Sequence, residues 1–585
     1  MLQSIAHRGP DATSHWSENE ITLGHNRLSI IDLAETANQP MFYDDLVLIF
    51  NGEIYNYIEI RKELEQKNFR FKTQSDSEII LASYKAWGKD CVTRFVGMWA
   101  LVIWDRTNKT LFASRDRFGI KPFYYISHER NFWFASEIKA LKHSPHFSND
   151  LNMNQISRGL QLGWTGYQDE TYFSKVKSLP PAHNLIFQNG EIKIERYWDI
   201  SFGQKSNLSF DDKREQFREM FFDSIKLHMR SDVEVGGCLS GGIDSSAIAG
   251  SIGKLYPDLK FKTFTIFYSG DGEVDERPFA KTVLEKYPSL VPFFYEPKGE
   301  ELTNEFDRIQ YHQDVPLPGS SPISQYFVMK LAAQQKMKVL VDGQGSDEYL
   351  FGYLHSYYRY IGGLIAKMSL IKAMRTRWQL GNQQSYSIKK RIDLRLKSFL
   401  SAVFGEQRLY AEEYKRNFPF LTNINSAEIP FDLENKGDSR LDKFLYQLLF
   451  NTMLPSLLHF EDRNSMAFSI ESRVPFLDHR LVEFAFTLDD DDKVNYCKTK
   501  YILRESLKDI LPSSVYQRTD KKGFVTPGEV KWLRGPLKHL TEIDANKLDI
   551  LDKRKVKSIL ERYKTGDNRQ AKLVWRIATL NHWLK

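Results

Sequence analysis

The sequence predicts two domains of different fold class: an α+β N-terminal domain rich in antiparallel strands, and an α/β C-terminal domain built on a parallel sheet. Three observations support this prediction. A chain of 585 residues is too long for a single hydrophobic core. Paired strand patterns dominate the first 200 residues. From residue 233 onwards, strand and helix patterns alternate, as they do in βαβ units.

Strand patterns joined by short polar turns recur through the N-terminal part. The runs LVLIF (46–50), WALVIWD (99–105) and TLFASRD (110–116) read as strands, and a helical pattern, YIEIRKELEQKN, follows the first of them. Asn189-Gly190 lies between two further strand patterns and supplies the residues with φ > 0 that a tight hairpin turn needs. Because neighbouring hairpins pair antiparallel strands, a mostly antiparallel sheet is expected.

A polar run, SFGQKSNLSFDDK, separates the two domains, which we place at 1–200 and 209–585. Within it, Ser209 and Asp212 resemble a helix capping box with Asp in place of the usual Glu or Gln. The strand patterns that follow, with helical patterns between them, are VEVGGCLS, FKTFTIFY, LVPFFY and KVLVDG. Parallel strands connected in this way bind ligands beyond their carboxyl ends. Residues 355–585 are predicted to be mainly helical.

Composition excludes several functional classes. Lys and Arg number 81 against 75 Asp and Glu, and no basic block is dense enough to indicate nucleic acid. The basic stretches at 372–379 and 389–397 are interpreted as exposed helix faces. Cys91, Cys238 and Cys497 lie far apart, so neither a disulfide framework nor a zinc cluster is expected, and a reducing cytoplasm fits best. The sequence contains no signal peptide pattern and no run of about 18 apolar residues, so we expect no membrane span.

The segment LSGGIDSS, which starts at Leu239, has the features of a phosphate-binding loop. It follows a strand pattern and opens a helix; its glycines let the backbone approach a phosphate, and its serines add hydroxyl donors. A Walker A loop would carry a lysine, whereas this loop has none and places Asp244 where a metal can be held. The SGGxDS pattern is that of ATP pyrophosphatases, which split ATP into AMP and pyrophosphate. The alternative, an ordinary helix start, is less favoured because the loop follows the first strand of the βαβ series.

A second loop, DGQGSDE, begins at Asp342, directly after another strand pattern. Asp347 in this loop and Asp244 in the first would then converge at the same edge of the sheet. Two carboxylates together with phosphate oxygens are a usual way for proteins to hold Mg²⁺, so we expect Mg²⁺ as cofactor and ATP as substrate. The alternative for each acid is a helix N-cap.

Several long motifs occur in order, and together they resemble the glutamine-dependent asparagine synthetases of class B over nearly the whole chain. The motifs are HRGPDA, HNRLSIID, NGEIYN, SDSE, RDRFGIKPFYY, SGGIDSS, DGQGSDE, SMAFSIESRVPFLDH and RTDKKGF. The resemblance implies an N-terminal glutaminase domain of the Ntn-hydrolase αββα kind. It also implies a C-terminal synthetase domain of the ATP-pyrophosphatase type with a helical C-terminal part.

In the first domain, the resemblance assigns five residues to a glutamine site. These are Arg27, Asn51, Gly52, Glu53 and Asp76, with Asn51 and Gly52 forming the oxyanion hole. Donors at such a site stabilise a tetrahedral intermediate by a few kcal/mol. The NGE segment would also make a turn, and one role does not exclude the other.

The family nucleophile has no counterpart in this sequence. In the family it is a cysteine at the mature N-terminus, on a strand that precedes HRGPD, whereas this chain reads MLQSIAHRGPD from its first residue. Neither Cys91 nor Ser4 nor Ser14 is expected to replace it. Either the chain begins at an internal methionine of a longer gene product, or the protein is truncated and its glutaminase is inactive. The first explanation is favoured because Arg27, NGE and Asp76 make sense only as a glutamine site.

In the second domain, the resemblance assigns the residues that bind ATP and act on it. The expected ATP contacts are Leu239, Ser240, Gly241, Gly242, Asp244, Ser245, Ile266, Asp342 and Gly343. Lys521 would neutralise the departing pyrophosphate. Gln344 stands where the family glutamate is tied to formation of the aspartyl adenylate, and an amide can neither act as a base nor carry charge. Glu471, Arg473 and Asp478 either line the acceptor pocket or form a buried ion-pair lock between helices.

These observations predict an ATP-dependent, AMP-forming amide ligase that takes part in asparagine biosynthesis. Its expected substrates are ATP, aspartate or another carboxylic acid, and glutamine or free ammonia. One alternative is a ligase for a different acid, such as a uronic acid of a surface polysaccharide or a peptide carboxylate. Another is a catalytically silent homologue that binds nucleotide or glutamine. No nucleic-acid or membrane partner is expected, and a homodimer is compatible with the sequence.

Overall fold

The structure is a computed structural model, and it describes residues 1–269, 275–382, 433–495, 498–519, 526–545 and 548–585. The predicted pyrophosphate lysine, Lys521, the basic stretch 389–397 and Cys497 lie outside the described residues. None of the helices in the described ranges has both the length and the apolar character needed to cross a lipid bilayer.

The secondary-structure elements are numbered in chain order over these residues. The strands are β1 (Ala12–Glu18), β2 (Ile21–Arg27), β3 (Met41–Tyr43), β4 (Leu46–Ile54), β5 (Gly97–Asp105), β6 (Thr110–Arg115), β7 (Tyr124–His128), β8 (Asn131–Ala135), β9 (Lys177–Ser178), β10 (His183–Gln188), β11 (Glu191–Arg196), β12 (Val235–Cys238), β13 (Phe261–Ile266), β14 (Leu290–Tyr295), β15 (Val339–Val341), β16 (Glu471–Arg473), β17 (Val494–Asn495) and β18 (Lys498–Thr499). The α-helices are α1 (Tyr57–Gln66), α2 (Asp76–Trp87), α3 (Ile138–Leu141), α4 (Met153–Leu162), α5 (Phe210–His228), α6 (Ile243–Leu255), α7 (Arg277–Lys286), α8 (Gly299–Gln313), α9 (Ser321–Gln334), α10 (Ser346–Tyr349), α11 (Ser356–Ala366), α12 (Leu370–Asn382), α13 (Arg440–Gln447), α14 (Leu454–Met466), α15 (His479–Thr487), α16 (Asp490–Lys493), α17 (Tyr501–Ser506), α18 (Ser513–Gln517), α19 (Gly528–Arg534), α20 (Lys553–Lys564) and α21 (Ala571–Trp583).

The N-terminal part is built on a six-stranded antiparallel sheet in the order β11-β10-β6-β5-β4-β3, which confirms the predicted pairing. One face of this sheet packs on α1 and α2 through a core that includes Leu48, Ile60 and Ile79. The opposite face packs on β2 and β7 through Leu23 and Tyr125. The sheet is therefore covered by helices on one side and by further strands on the other.

The predicted hairpin turn and helix cap are both present at the expected residues. Asn189 and Gly190 have φ of 54° and 86°, and they join β10 to β11. The hydroxyl of Ser209 accepts the N–H of Asp212 at 3.2 Å, so Ser209 caps α5. That hydroxyl also donates to the Asp212 carboxylate at 2.7 Å, which makes the contact a variant of the capping box.

A parallel five-stranded sheet in the order β14-β13-β12-β15-β16 forms the centre of the C-terminal part. The chain runs from β12 outwards to β13 and β14, and then returns to the other side of β12 as β15. The loops that follow β12 and β15 therefore leave from adjacent carboxyl ends, at the switch point where such sheets bind ligands. The sequence predicted the first four strands. The fifth, β16, lies in the region predicted to be mainly helical, and its three residues are too few to give a strand pattern.

Candidate functional sites

The phosphate-loop motif lies where the sequence predicted it, between β12 and α6. Gly241 has φ +82°, and a Cβ at this position would lie 2.7 Å from the backbone nitrogen of Ala280, so the loop requires glycine here. The Ser240 hydroxyl accepts the N–H of Gly242 at 3.2 Å and lies 3.1 Å from the hydroxyl of Ser245. The N-cap residue of α6 is Gly242, which has no side chain to cap the helix, so the first backbone N–H groups of α6 can bind an anion.

This loop forms one wall of a cavity of about 400 Å³ at the switch point of the parallel sheet. The predicted ATP contacts that line it are Leu239, Ser240, Gly242, Asp244, Ser245, Ile266, Asp342 and Gly343. Gly241 is the one predicted contact that does not line the cavity, because it packs against α7 instead. Gln344 and Asp347 also line the cavity, so both predicted loops meet there.

Asp244 and Asp347 converge on one cation, the ammonium group of Lys500. Its Nζ donates to both carboxylate oxygens of Asp244 at 2.6 Å and lies 2.6 Å from Oδ1 of Asp347. Two glycines allow this approach: a Cβ on Gly343 would lie 2.8 Å from Cβ of Asp244, and one on Gly352 would lie 1.6 Å from Oδ1 of Asp347. The two carboxylates are therefore close enough together that both contact the single positive charge of Lys500. Over the described ranges, no cluster of three or more His, Cys, Asp or Glu side chains forms a metal site.

Lys500 is a site residue that the sequence did not single out. A lysine in KTKYILRE reads as an ordinary surface lysine, yet this one is 1 % exposed. It precedes α17 with φ 52°, a left-handed conformation that is uncommon for a side chain of this size. Burial of the charge and the strained backbone could not be inferred from the residue pattern, because both depend on the fold of the surrounding loops.

A second cation at this cavity is Arg518, which lines it beside the phosphate loop. Its guanidinium donates to Glu276 at 2.5 Å and to the carbonyl oxygen of Gly241 at 3.2 Å. The arginine therefore ties the loop to the segment that opens α7. Arg518 belongs to the RTDKKGF motif, on which the prediction of Lys521 as a site residue was based. At least this residue of the motif therefore lines the cavity.

The five residues predicted to bind glutamine line a different cavity, of about 460 Å³, in the N-terminal part. They are Arg27, Asn51, Gly52, Glu53 and Asp76. Gly52 has φ +147°, and a Cβ there would lie 2.0 Å from the carbonyl oxygen of Met98, so only glycine fits. Nδ2 of Asn51 and Oε2 of Glu53 are buried and have no hydrogen-bond partner among the described residues. A buried donor and a buried acceptor without partners indicate a site for a polar ligand.

Burial sets the electrostatics of this cavity. It raises the pKa of Asp76 to about 6, although the N–H of Ile54 donates to its carboxylate at 2.9 Å. It lowers the pKa of His25, which also lines the cavity, to about 4. Arg27 is fixed by the loop that follows β2, since its guanidinium donates to the carbonyl oxygen of Ala34 at 2.8 Å and to Oδ1 of Asn38 at 2.9 Å.

None of the described thiols or the two serines considered above lies at this cavity. Cys91 is fully buried in the core beneath the main sheet, where burial raises the pKa of its thiol. Cys238 lines the nucleotide-side cavity and is likewise buried. Ser4 donates to the carbonyl oxygen of Met1 at 2.7 Å, and Ser14 donates to that of Gln39.

The ESR segment of SMAFSIESRVPFLDH forms an ion-pair network between the two parts of the chain. Arg473 donates to Glu471 at 2.8 Å and lies 3.4 Å from Oε1 of Glu53 in the glutamine-type cavity. Asp478 caps α15 by accepting the N–H of Arg480 at 3.0 Å. None of the three candidates lines the cavity at the phosphate loop. Of the two predicted roles, the structure shows the ion pair, although it joins strands rather than helices.

Comparisons with known proteins cover both parts of the chain. Residues 1–198 match the family model of the glutamine amidotransferase domain, and residues 216–585 match that of asparagine synthase. "Asparagine synthetase [glutamine-hydrolyzing] 1" of Bacillus subtilis is 32% identical over 92% of this chain and 84% of its own length. "Asparagine synthetase [glutamine-hydrolyzing] 3" of the same organism is 30% identical over 96% and 90%. "Amidase chry2" of Gibberella zeae is 29% identical over 93% and 86%.

Proposed function

This chain belongs to the asparagine synthetase family and is a carbon–nitrogen ligase of that type, and from this premise we propose that it converts aspartate to asparagine with ATP. The observation that carries the proposal is the meeting of Asp244, Asp347 and Lys500 beside the phosphate loop. A carboxylate is a poor acceptor for an amine because its leaving group would be oxide. Transfer of AMP from ATP gives an acyl adenylate, from which ammonia displaces AMP to form the amide.

The residues of the cavity have separate tasks in this proposal. The hydroxyls of Ser240 and Ser245, with the first N–H groups of α6, bind phosphate oxygens. Lys500 supplies positive charge beside the departing pyrophosphate, and the family resemblance assigns Lys521 to the same task. Asp244 and Asp347 would hold Mg²⁺, since two carboxylates that already share one cation fit a divalent ion whose other ligands are phosphate oxygens and water. When bound, Mg²⁺ would neutralise charge on those oxygens.

In this proposal the nitrogen comes from glutamine if the nucleophile of the glutaminase site is present, and from free ammonia if it is absent. Nδ2 of Asn51 and Oε2 of Glu53, a donor and an acceptor without hydrogen-bond partners among the described residues, match the amide and the ammonium group of glutamine. The helix-on-sheet-on-sheet layering of the N-terminal part supports an Ntn-hydrolase-type domain.

A second candidate function is amidation of another carboxylic acid. Gln344 lines the cavity as a neutral amide where the family has a carboxylate, and one relative bears the name amidase. A uronic acid or a peptide carboxylate would then be the acceptor.

Pyrophosphate release and amide formation test both functions. The full chain is supplied with ATP and Mg²⁺, with aspartate or another acid, and with ammonium or glutamine in parallel. Asparagine from ammonium supports the first function, and release only with a different acid supports the second. Absence of pyrophosphate with every acid would contradict a ligase. Asparagine from glutamine would contradict the expectation that this chain lacks a working nucleophile.

A further inference from the structure

Arg473 ends β16, in the C-terminal part of the chain, and its side chain is fully buried. Its Nε donates to Oε1 of Glu471 at 2.8 Å, and its Nη1 donates to the carbonyl oxygens of His228 at 2.8 Å and Arg230 at 2.6 Å. These contacts fix the position of the guanidinium plane. The remaining nitrogen, Nη2, makes no hydrogen bond within the described residues and lies 3.4 Å from Oε1 of Glu53. One nitrogen of the arginine is therefore directed at a carboxylate of the N-terminal part.

Glu53 lines the N-terminal cavity from β4 and is 4 % exposed. Burial raises the pKa of its carboxyl well above the ordinary value, and the nearby acids Glu471 and Asp76 raise it further, whereas Arg473 and Lys121 lower it. Among the described residues, Arg473 is the one cation that forms an ion pair with this carboxylate. A single cation at 3.4 Å compensates the buried charge only in part, so a second positive group on the other oxygen would favour the ionised form further.

The two oxygens of Glu53 are in different environments. Oε1 faces Arg473, whereas Oε2 is buried and has no hydrogen-bond partner within the described residues. Because both oxygens belong to one planar group, an ion pair that holds the first also limits the directions in which the second can point. Oε2 is therefore an acceptor kept unoccupied at the cavity, and a ligand ammonium group supplies both the donor and the positive charge that it lacks.

We propose that Arg473 is a positioning residue of the N-terminal cavity: it holds Oε1 of Glu53 and thereby leaves Oε2 to accept a hydrogen bond from the ammonium group of the bound amino acid. This inference rests on the proposed binding of glutamine in that cavity. A competing role is an ion-pair lock that only stabilises the contact between the two parts of the chain. Positioning affects ligands that carry an ammonium group, whereas a lock affects all ligands alike.

Titration calorimetry of the full chain with two ligands separates these roles. L-Glutamine carries the ammonium group, and glutaramate is the same molecule without its α-amino group. The ratio of their dissociation constants measures the preference that the ammonium contact creates. Arg473→Met should lower this preference for glutamine by about tenfold, the equivalent of one charge-assisted hydrogen bond. Arg473→Lys keeps a cation beside Glu53 and should keep the preference within about threefold of wild type.

Two further variants make the test specific to the Glu53 contact. In a Glu53→Gln background, Arg473→Met should lower the preference no further, because the charged group that it positions is gone. Arg196→Met is the matched control. Arg196 also pairs across the two parts of the chain, with Glu434 at 3.4 Å, but its partners Glu434 and Asp199 do not line the N-terminal cavity. This variant should leave the preference for glutamine unchanged.

Equal losses of glutamine and glutaramate binding in Arg473→Met would assign the arginine to the lock and overturn positioning. A further loss of preference in the double variant, or an equal loss in Arg196→Met, would show that Arg473 does not act through Glu53. Wild-type protein that binds both ligands equally would overturn this inference and leave glutamine binding standing, whereas protein that binds neither would overturn both. Thermal unfolding identifies variants that do not fold, and Arg473→Gln, for which the same loss is expected, replaces Arg473→Met if that variant is one of them.

Discussion

Asp347 and Lys500 form a contact in the nucleotide-side cavity, but only Asp347 lies in a recognisable sequence motif. The motif DGQGSDE led to Asp347, whereas nothing in KTKYILRE distinguished Lys500 from exposed lysines. Their 2.6 Å contact depends on two loops that the fold brings together. Sequence reasoning therefore finds the residues that lie in conspicuous local patterns, and it misses partners whose role is created by burial.

Asp347→Asn should abolish Mg²⁺-dependent pyrophosphate release, by at least about a hundredfold, because it removes one of the two carboxylates that share a cation. The fold should remain, since the side chain keeps its size and Lys500 keeps Asp244. Pyrophosphate assays with thermal unfolding check both points. Asp211→Asn, at an exposed carboxylate, is the matched control. Unchanged turnover in Asp347→Asn would remove this residue from the metal site.

Asp76 should make stability depend on pH in an unusual direction. Its folded pKa of about 6 lies above the ordinary value of 3.8, so between these values the folded state holds a proton that the unfolded chain has released. The free energy of unfolding should therefore fall as pH rises through this window, by up to about 3 kcal/mol. Urea unfolding at pH 4 to 7 measures the slope. Asp76→Asn should remove this contribution, whereas Asp150→Asn, at an exposed site, should not. An identical slope in Asp76→Asn and wild type would contradict the assignment.

At the scale of elements, the alternation of strand and helix patterns was sufficient to predict the first four parallel strands and the position of their switch point. It failed for β16, which pairs Val339 with Glu471 over only three residues. Between the third and fourth strands the structure has two helices, α8 and α9, whereas the pattern predicted only the second of them. Short strands gain their stability from neighbours in the sheet, and that information is not contained in their own sequence.

Gly352, in the loop after α10, leaves the space that the Asp347 carboxylate occupies. It follows α10 closely, and a Cβ there would lie 1.6 Å from Oδ1 of Asp347. Gly352→Ala should therefore displace the carboxylate and lower pyrophosphate release by about tenfold or more, with little change in the unfolding temperature. Gly299→Ala, where a Cβ would meet only Pro536 at 3.4 Å, is the control and should be neutral. Equal activities of the two variants would show that the loop relaxes around the added methyl group.

At the scale of the whole molecule, a buried ion pair joins the N-terminal segment to α14. The Arg8 guanidinium donates to both carboxylate oxygens of Asp462 at 2.8 and 2.7 Å and to Glu137 at 2.9 Å. The sequence identified Arg8 only as part of the motif HRGPDA. Its partner lies 454 residues away, and no local pattern indicates such a contact.

Arg8→Met should lower the free energy of unfolding by about 3–5 kcal/mol, because it leaves buried carboxylates without their cation. Arg106→Met removes an arginine that is 37 % exposed and pairs with Glu18 at 2.8 Å, and it should leave the free energy of unfolding almost unchanged. Urea unfolding of the full chain measures both. If the two variants lost the same stability, the interface pair would be contributing no more than a surface contact.

Arg473 contacts one lining residue of each cavity. Its side chain reaches Glu53 in the N-terminal cavity, while its carbonyl oxygen accepts the N–H of Asp342, the first residue of the second nucleotide-side loop, at 2.8 Å. The two halves of the molecule are consequently poor modules for recombination. A chimera that takes its first half from one relative and its second from another would have to keep positions 53 and 473 matched, even though they lie in different domains.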